Sequence, residues 1–241
     1  MNEHEARRRF ERTREFVRKR VSPKEELGRH LTIGVLVMLF GAWMFSEMAE
    51  DLGPATSQVL LDQRVANWFN AQARPELTVL ARALTFCGSV GFVAVLSVAC
   101  AIYFIAIRAW NRLIALALTM IGGSFLNVIL KHLFQRERPV LENPLVTLSS
   151  FGFPSGHTMG STLFYGLLAL ICMRFAPTVG ARMAIFVAAT LLIALIGLTR
   201  IYLGAHYLTD VLAAIAIGTS WLAFCWTITE TFRKRGRRKA R

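Results

Sequence analysis

The sequence predicts an all-α, polytopic membrane protein with six transmembrane helices and an amphipathic interfacial helix between spans one and two. The first observation is composition: 241 residues, 54% hydrophobic and 18% charged, with a mean hydropathy of +0.46. A soluble domain of that length carries more charge and breaks its apolar runs more often. The second is run length, because several runs approach the roughly 20 residues a helix needs to cross a bilayer. The third is that the formal charge of +13 gathers at the two ends and in short loops.

Three regions follow: a basic N-terminal arm over 1–30, a six-span domain over 31–228 and a basic tail over 229–241. Within the arm, Phe10, Val17 and Val21 form a loose apolar face, suited to lying on a membrane surface. Ser22-Pro23-Lys24-Glu25 reads as a capping box with proline at the first helical position. The first span is expected over Leu31–Met48, the second over Gly88–Ile107 and the third over Leu113–Leu130. The fourth is expected over His157–Arg174, the fifth over Met183–Leu198 and the sixth over Tyr207–Ile228. Between spans one and two, Ala49–Thr85 is read as extramembrane, with Leu61, Val65, Trp68 and Phe69 on one face of an interfacial helix.

Both tails, with Arg108, Arg112, Arg174 and Arg182 in short loops, place most Lys and Arg on one side. The positive-inside rule makes that side cytoplasmic. Lys/Arg-rich tails also occur in nucleic-acid binders. Here apolar spans begin and end beside them, so they are read as anchors on anionic inner-leaflet lipids, with no nucleic-acid partner expected. The protein is therefore expected in the cytoplasmic (inner) membrane, with the other face towards the periplasm or exterior. Cys87, Cys100, Cys172 and Cys225 form neither a C-x-x-C pair nor a metal-ligand cluster.

That other face collects the polar motifs. Lys131 closes span three and is followed after six residues by Arg138-Pro139; Pro154-Ser155-Gly156-His157 opens span four. Arg200 ends span five, with His206 and Asp210 beyond it. Taken singly, the cations could be snorkelling side chains and His206 with Asp210 a helical surface pair. Grouped at one membrane level, they suit a phosphate monoester, which carries about −1.5 to −2 charge. Lys131 supplies a point charge, and Arg138 and Arg200 supply planar forks. Ser155 and the backbone at Gly156 sit at a helix N-terminus, where anions bind. Asp210, one turn beyond His206, is placed to fix its tautomer and leave the other nitrogen nucleophilic. His157, with no such carboxylate, suits general acid catalysis. No cofactor or metal is expected.

Lys131-x6-Arg138-Pro139, Pro154-Ser155-Gly156-His157 and Arg200-x5-His206-x3-Asp210 resemble the signature motifs of the type 2 phosphatidic acid phosphatases. That superfamily also holds vanadium-dependent haloperoxidases and glucose-6-phosphatase. The resemblance implies a six-helix membrane core, His206 as nucleophile, His157 as general acid and Asp210 as its orienter. It also implies Lys131, Arg138, Ser155, Gly156 and Arg200 as the phosphate-binding set. Thr199 stands where that pattern usually has serine. The expected activity is hydrolysis of a lipid phosphate or diphosphate through a phosphohistidine. Undecaprenyl diphosphate is placed slightly ahead of phosphatidic acid and phosphatidylglycerophosphate. Phosphate transfer to another lipid, or non-catalytic binding or transport of a lipid phosphate, are the alternatives.

Overall fold

The computed structural model describes residues 26–50, 52–53, 56–141, 144–146 and 148–239, with side chains described from 31 to 234. The basic arm through Glu25, including the expected capping box, lies outside the described residues. The described elements are α1 (Glu26–Glu50), α2 (Ser57–Ala71), α3 (Pro75–Phe86), α4 (Val90–Ala106) and α5 (Trp110–Ala117). A π-helical segment over Leu118–Gly122 joins α5 to α6 (Gly123–Phe134), followed by α7 (Gly156–Met173), α8 (Val179–Tyr202) and α9 (Leu208–Lys239).

Helix starts follow local chemistry. Thr56, Ser89 and Thr178 each take an extended backbone and accept a hydrogen bond from the amide three residues on, at 3.3, 3.2 and 3.1 Å. Each satisfies an amide the first turn leaves without an intrahelical partner. Pro75 opens α3, where a missing N–H costs nothing.

Among the described residues, six stretches are long and apolar enough to cross a membrane: Leu31–Glu50, Pro75–Ala106, Trp110–Phe134, Gly156–Met173, Val179–Tyr202 and Leu208–Lys234. The helices of spans four and six, α7 and α9, form the centre. Half of their apolar windows is buried, against 6% for span one and 11% for spans two and five. Met159, Leu163, Leu167 and Ile171 of α7 pack with Val93 and Phe104 of α4, Leu116 of α5 and Ala214 and Leu222 of α9. The outer helices turn Leu, Val and Phe outward, as lipid solvent permits. α1 lies closest against α9, because Gly34 and Gly41 face it one above the other. A Cβ on Gly41 would sit 2.7 Å from the Ala216 carbonyl oxygen.

One sequence expectation needs correction. The second span does not begin at Gly88: the apolar stretch reaches back to Pro75, as α3 and α4 stacked across a joint at Cys87-Gly88-Ser89. Glu76 and Arg82 interrupt that stretch, which packs against α8 through α3 and buries Ala81. The joint is tight, since a Cβ on Gly88 would come within 2.8 Å of the Ser161 hydroxyl oxygen. In α2, Leu61 and Trp68 are exposed while Asp62 and Ala66 are buried against the protein. The protein-facing side of this helix therefore includes a carboxylate, away from the face that carries Leu61 and Trp68.

Candidate active site

His206 is set between two helix ends. α8 stops in a Schellman turn, with the Gly204 amide donating to the Ile201 carbonyl (2.9 Å) and the Ala205 amide to the Arg200 carbonyl (3.0 Å). Gly204 has φ +69°, and a Cβ there would strike the Leu141 side chain, so glycine alone fits. α9 then begins with Asp210 reaching back, its Oδ2 accepting from the Tyr207 amide at 2.9 Å. That is the return half of a capping box. The same oxygen lies 3.4 Å from His206 Nδ1, an electrostatic contact without hydrogen-bond alignment.

The other ring nitrogen, Nε2, is 3.2 Å from a terminal guanidinium nitrogen of Arg138. A guanidinium only donates, so Nε2 accepts and the ring proton sits on Nδ1, facing Asp210. His206 is 2% exposed. Burial pushes it down to about 4, against the opposing pull of Asp210 and with help from Arg138 and Arg200. At neutral pH the imidazole is uncharged, with its lone pair on Nε2.

The cations gather around this histidine and its neighbours. Gln135, with φ 45°, ends α6 in a left-handed cap, and the chain turns back so that Arg138 faces 150–151. Arg138 donates to the Ser150 carbonyl (2.7 Å), the Ser150 hydroxyl (3.0 Å) and the Ala205 carbonyl (2.5 Å). Lys131 donates to the Phe151 carbonyl. Arg200 is 4% exposed and reaches Thr85 on α3 at 3.0 Å, while its Nε has no partner. A buried donor left unpaired costs about 1–3 kcal/mol, more when charged; an anion in the pocket would satisfy it. His157, in the first turn of α7, lies within electrostatic reach of Arg200, His206, Arg138 and Lys131. The two histidines and three cations of the motifs thus lie within electrostatic reach of one another.

Ser155 and Gly156 complete the neighbourhood differently. Ser155 is fully buried as the N-cap of α7, its Oγ 3.0 Å from the Thr158 hydroxyl and accepting from the Thr158 amide at 3.5 Å. Gly156 backs onto Asn127, whose amide oxygen would lie 3.3 Å from an added Cβ. The Thr199 hydroxyl donates to the Ile196 carbonyl at 2.6 Å within its own helix.

Sequence reasoning missed Arg136 and Asp62. Arg136 donates to Asp210 Oδ1 (2.6 Å), the Thr209 hydroxyl (2.6 Å) and Asp62 Oδ2 (2.7 Å), with its guanidinium 4.6 Å from the centre of the Tyr207 ring. Burial works against its charge, but Asp210 and Asp62 prevail and push it up. Asp62 also accepts from the Thr209 amide at 3.0 Å and from the Thr209 hydroxyl. The carboxylate beside His206 is therefore clamped from behind by α2. One signal was available: Arg136 lies inside the six-residue gap between Lys131 and Arg138, where a third cation was passed over. Nothing in the sequence paired Asp62 with it across 74 residues.

Comparison with known proteins finds similar chains among lipid phosphatases. Phosphatidylglycerophosphatase B of Bacillus subtilis (strain 168) is 35% identical over 112 residues, covering 46% of this chain and 54% of that protein. Lipid phosphate phosphatase delta of Arabidopsis thaliana is 34% identical over 83 residues, 33% of this chain and 20% of that protein. The alignments thus span about half or less of these curated relatives. The crystal structure of a transmembrane PAP2-type phosphatidylglycerolphosphate phosphatase from Bacillus subtilis superposes with TM-score 0.68 at 27% identity. It covers 84% of this chain and 96% of that one. The crystal structure of Aquifex aeolicus LpxE gives TM-score 0.54 at 26% identity, over 70% and 94%. The PAP2 superfamily model matches residues 112–234, which hold all three motifs and the helices that carry them; the chain belongs to the PAP2 superfamily.

Proposed function

We propose that the chain is an integral membrane phosphatase that hydrolyses a lipid phosphate at the non-cytoplasmic face, through a phosphohistidine on His206. The observation that carries this is the neutral His206, its Nε2 3.2 Å from Arg138 and its Nδ1 backed by Asp210. Lys131, Arg138 and Arg200 bind the phosphate oxygens and stabilise charge as it spreads in the transition state. His206 Nε2 attacks phosphorus, the P–O bond to the lipid breaks, and His157 protonates the departing alkoxide. Asp210 steadies the positive charge that the ring, still carrying its Nδ1 proton, acquires. In the second step His157 takes a proton from water, the water oxygen attacks phosphorus and the P–N bond breaks, releasing phosphate.

The names of the Bacillus relatives favour phosphatidylglycerophosphate as the first substrate to test. They reverse the order set from sequence, where undecaprenyl diphosphate came first. Metal independence is part of the proposal, because the site's carboxylates, Asp62 and Asp210, are both engaged by Arg136. The test is phosphate release by purified protein from phosphatidylglycerophosphate, phosphatidic acid and undecaprenyl diphosphate, with a chelator present. Fastest release from phosphatidylglycerophosphate, unaffected by chelation, is expected. Release from none of the three, or abolished by the chelator, would refute the reading.

A further inference from the structure

At the end of the bundle opposite His206 lies a cavity of about 580 Å³, between the α4–α5 turn, the end of α7 and the end of α9. Asp210 lies in the first turn of α9 and Glu230 lies 20 residues further along the same helix, about 30 Å away, the thickness of a bilayer core. The cavity is thus a second site, remote from the catalytic pocket.

Its lining is strongly cationic: Arg108, Arg112, Arg174, Arg233 and Lys234, with Glu230 as the opposing carboxylate. Glu230 is 4% exposed and is spent on Arg174 and on Arg233, whose Nε lies 3.0 Å from it. Arg174 also stacks on Trp226, 4.2 Å from the ring centre, and Arg112 on Phe175 at 4.7 Å. A guanidinium held over a ring is restrained in place while N–H groups stay available to an anion. Among the described residues, the side chains of Arg108 and Arg112 have no hydrogen-bond or ion-pair partner. Arg112, held over Phe175, and Arg108 are thus two unneutralised guanidinium groups lining one cavity, a pair that matches phosphate oxygens. Trp110 and Phe175 are 55% and 63% exposed at its rim, the aromatic type that settles at the headgroup level of a bilayer.

We propose that this cavity binds the phosphate of an anionic phospholipid headgroup from the leaflet opposite the catalytic site. Naming that leaflet cytoplasmic rests on the orientation under the proposed function; the binding itself does not. Basic pockets between helix ends are suited to such headgroups, and each Lys or Arg near an anionic surface contributes about 1 kcal/mol.

The test is native mass spectrometry of the full chain in detergent, with phosphatidylglycerol or phosphatidylcholine added. The wild type should retain phosphatidylglycerol in preference. Arg108→Gly removes one cation at a position whose φ of 54° already suits glycine, so the fold is safe. It should weaken retention roughly fivefold, and Arg112→Gln by a similar factor. Arg138→Ala, which disrupts the catalytic pocket, should leave retention intact whether or not the phosphatase reading holds. Equal retention of the two lipids, undiminished retention in both cavity variants, or loss in Arg138→Ala would overturn the proposal. Displacement of the lipid by a few millimolar inorganic phosphate would also overturn it, in favour of a free phosphate site.

Discussion

His206 works in this account because it is neutral and aimed. Burial holds it at about 4, and Arg138 facing Nε2 leaves the proton on Nδ1 beside Asp210. A histidine shifted downward is uncharged at every pH above its lowered value, and protonation below it removes the attacking lone pair. The acid limb of kcat/KM, corrected for ionisation of the substrate phosphate, should therefore fall near pH 4. Measurement from pH 3 to 9 on a short-chain lipid phosphate checks this; a limb at 6.5 that belongs to the enzyme would contradict it. The motif residues were legible because each chemistry has a characteristic side chain and spacing. What individual hydroxyls do was not: Ser155 caps α7, and Thr199 bonds within its own helix. Those choices depend on backbone geometry that residue type does not specify.

Among the elements, α2 is the one whose contribution spacing concealed. Its Leu61 and Trp68 face outward, and its Asp62 enters the protein to meet Arg136 and Thr209. Helical periodicity finds the apolar stripe, but in a membrane protein that stripe can face lipid while a polar residue faces the core. The pairing of Asp62 with Arg136 is tertiary and left no local trace. The α3–α4 joint was hidden for a related reason, since two charged residues interrupt an otherwise apolar stretch. Arg136→Ala leaves two buried carboxylates without their cation. It should cost about 3–5 kcal/mol, read as a lowered thermal midpoint in detergent. Asp62→Asn keeps the volume and some hydrogen bonding; it should lower kcat more than it raises KM, because it loosens the group that holds Asp210. A normal midpoint and kcat in both variants would show that the clamp does not position the site.

At the scale of the whole molecule, six apolar spans bring the ends of α6 and α8 and the starts of α7 and α9 to one pocket. That the motifs lie at one membrane level was legible in advance from span count and motif positions, whereas the span limits and the second span's stacked construction were not. The proposed orientation puts that pocket outside. In a background with the native cysteines replaced, Val140→Cys, at a site 89% exposed beside Arg138-Pro139, should label from outside intact cells. Val179→Cys, 74% exposed at the start of α8, should not; the reverse pattern would place the site in the cytoplasm. The central claim is the phosphohistidine, and rapid quenching of wild type, His157→Ala and His206→Ala with labelled lipid phosphate tests it most directly. Acid-labile, base-stable phosphate on the wild type and on His157→Ala, but absent from His206→Ala, is the predicted result. Phosphate trapped on His206→Ala, or on none of the three with inversion at phosphorus during turnover, would contradict the account.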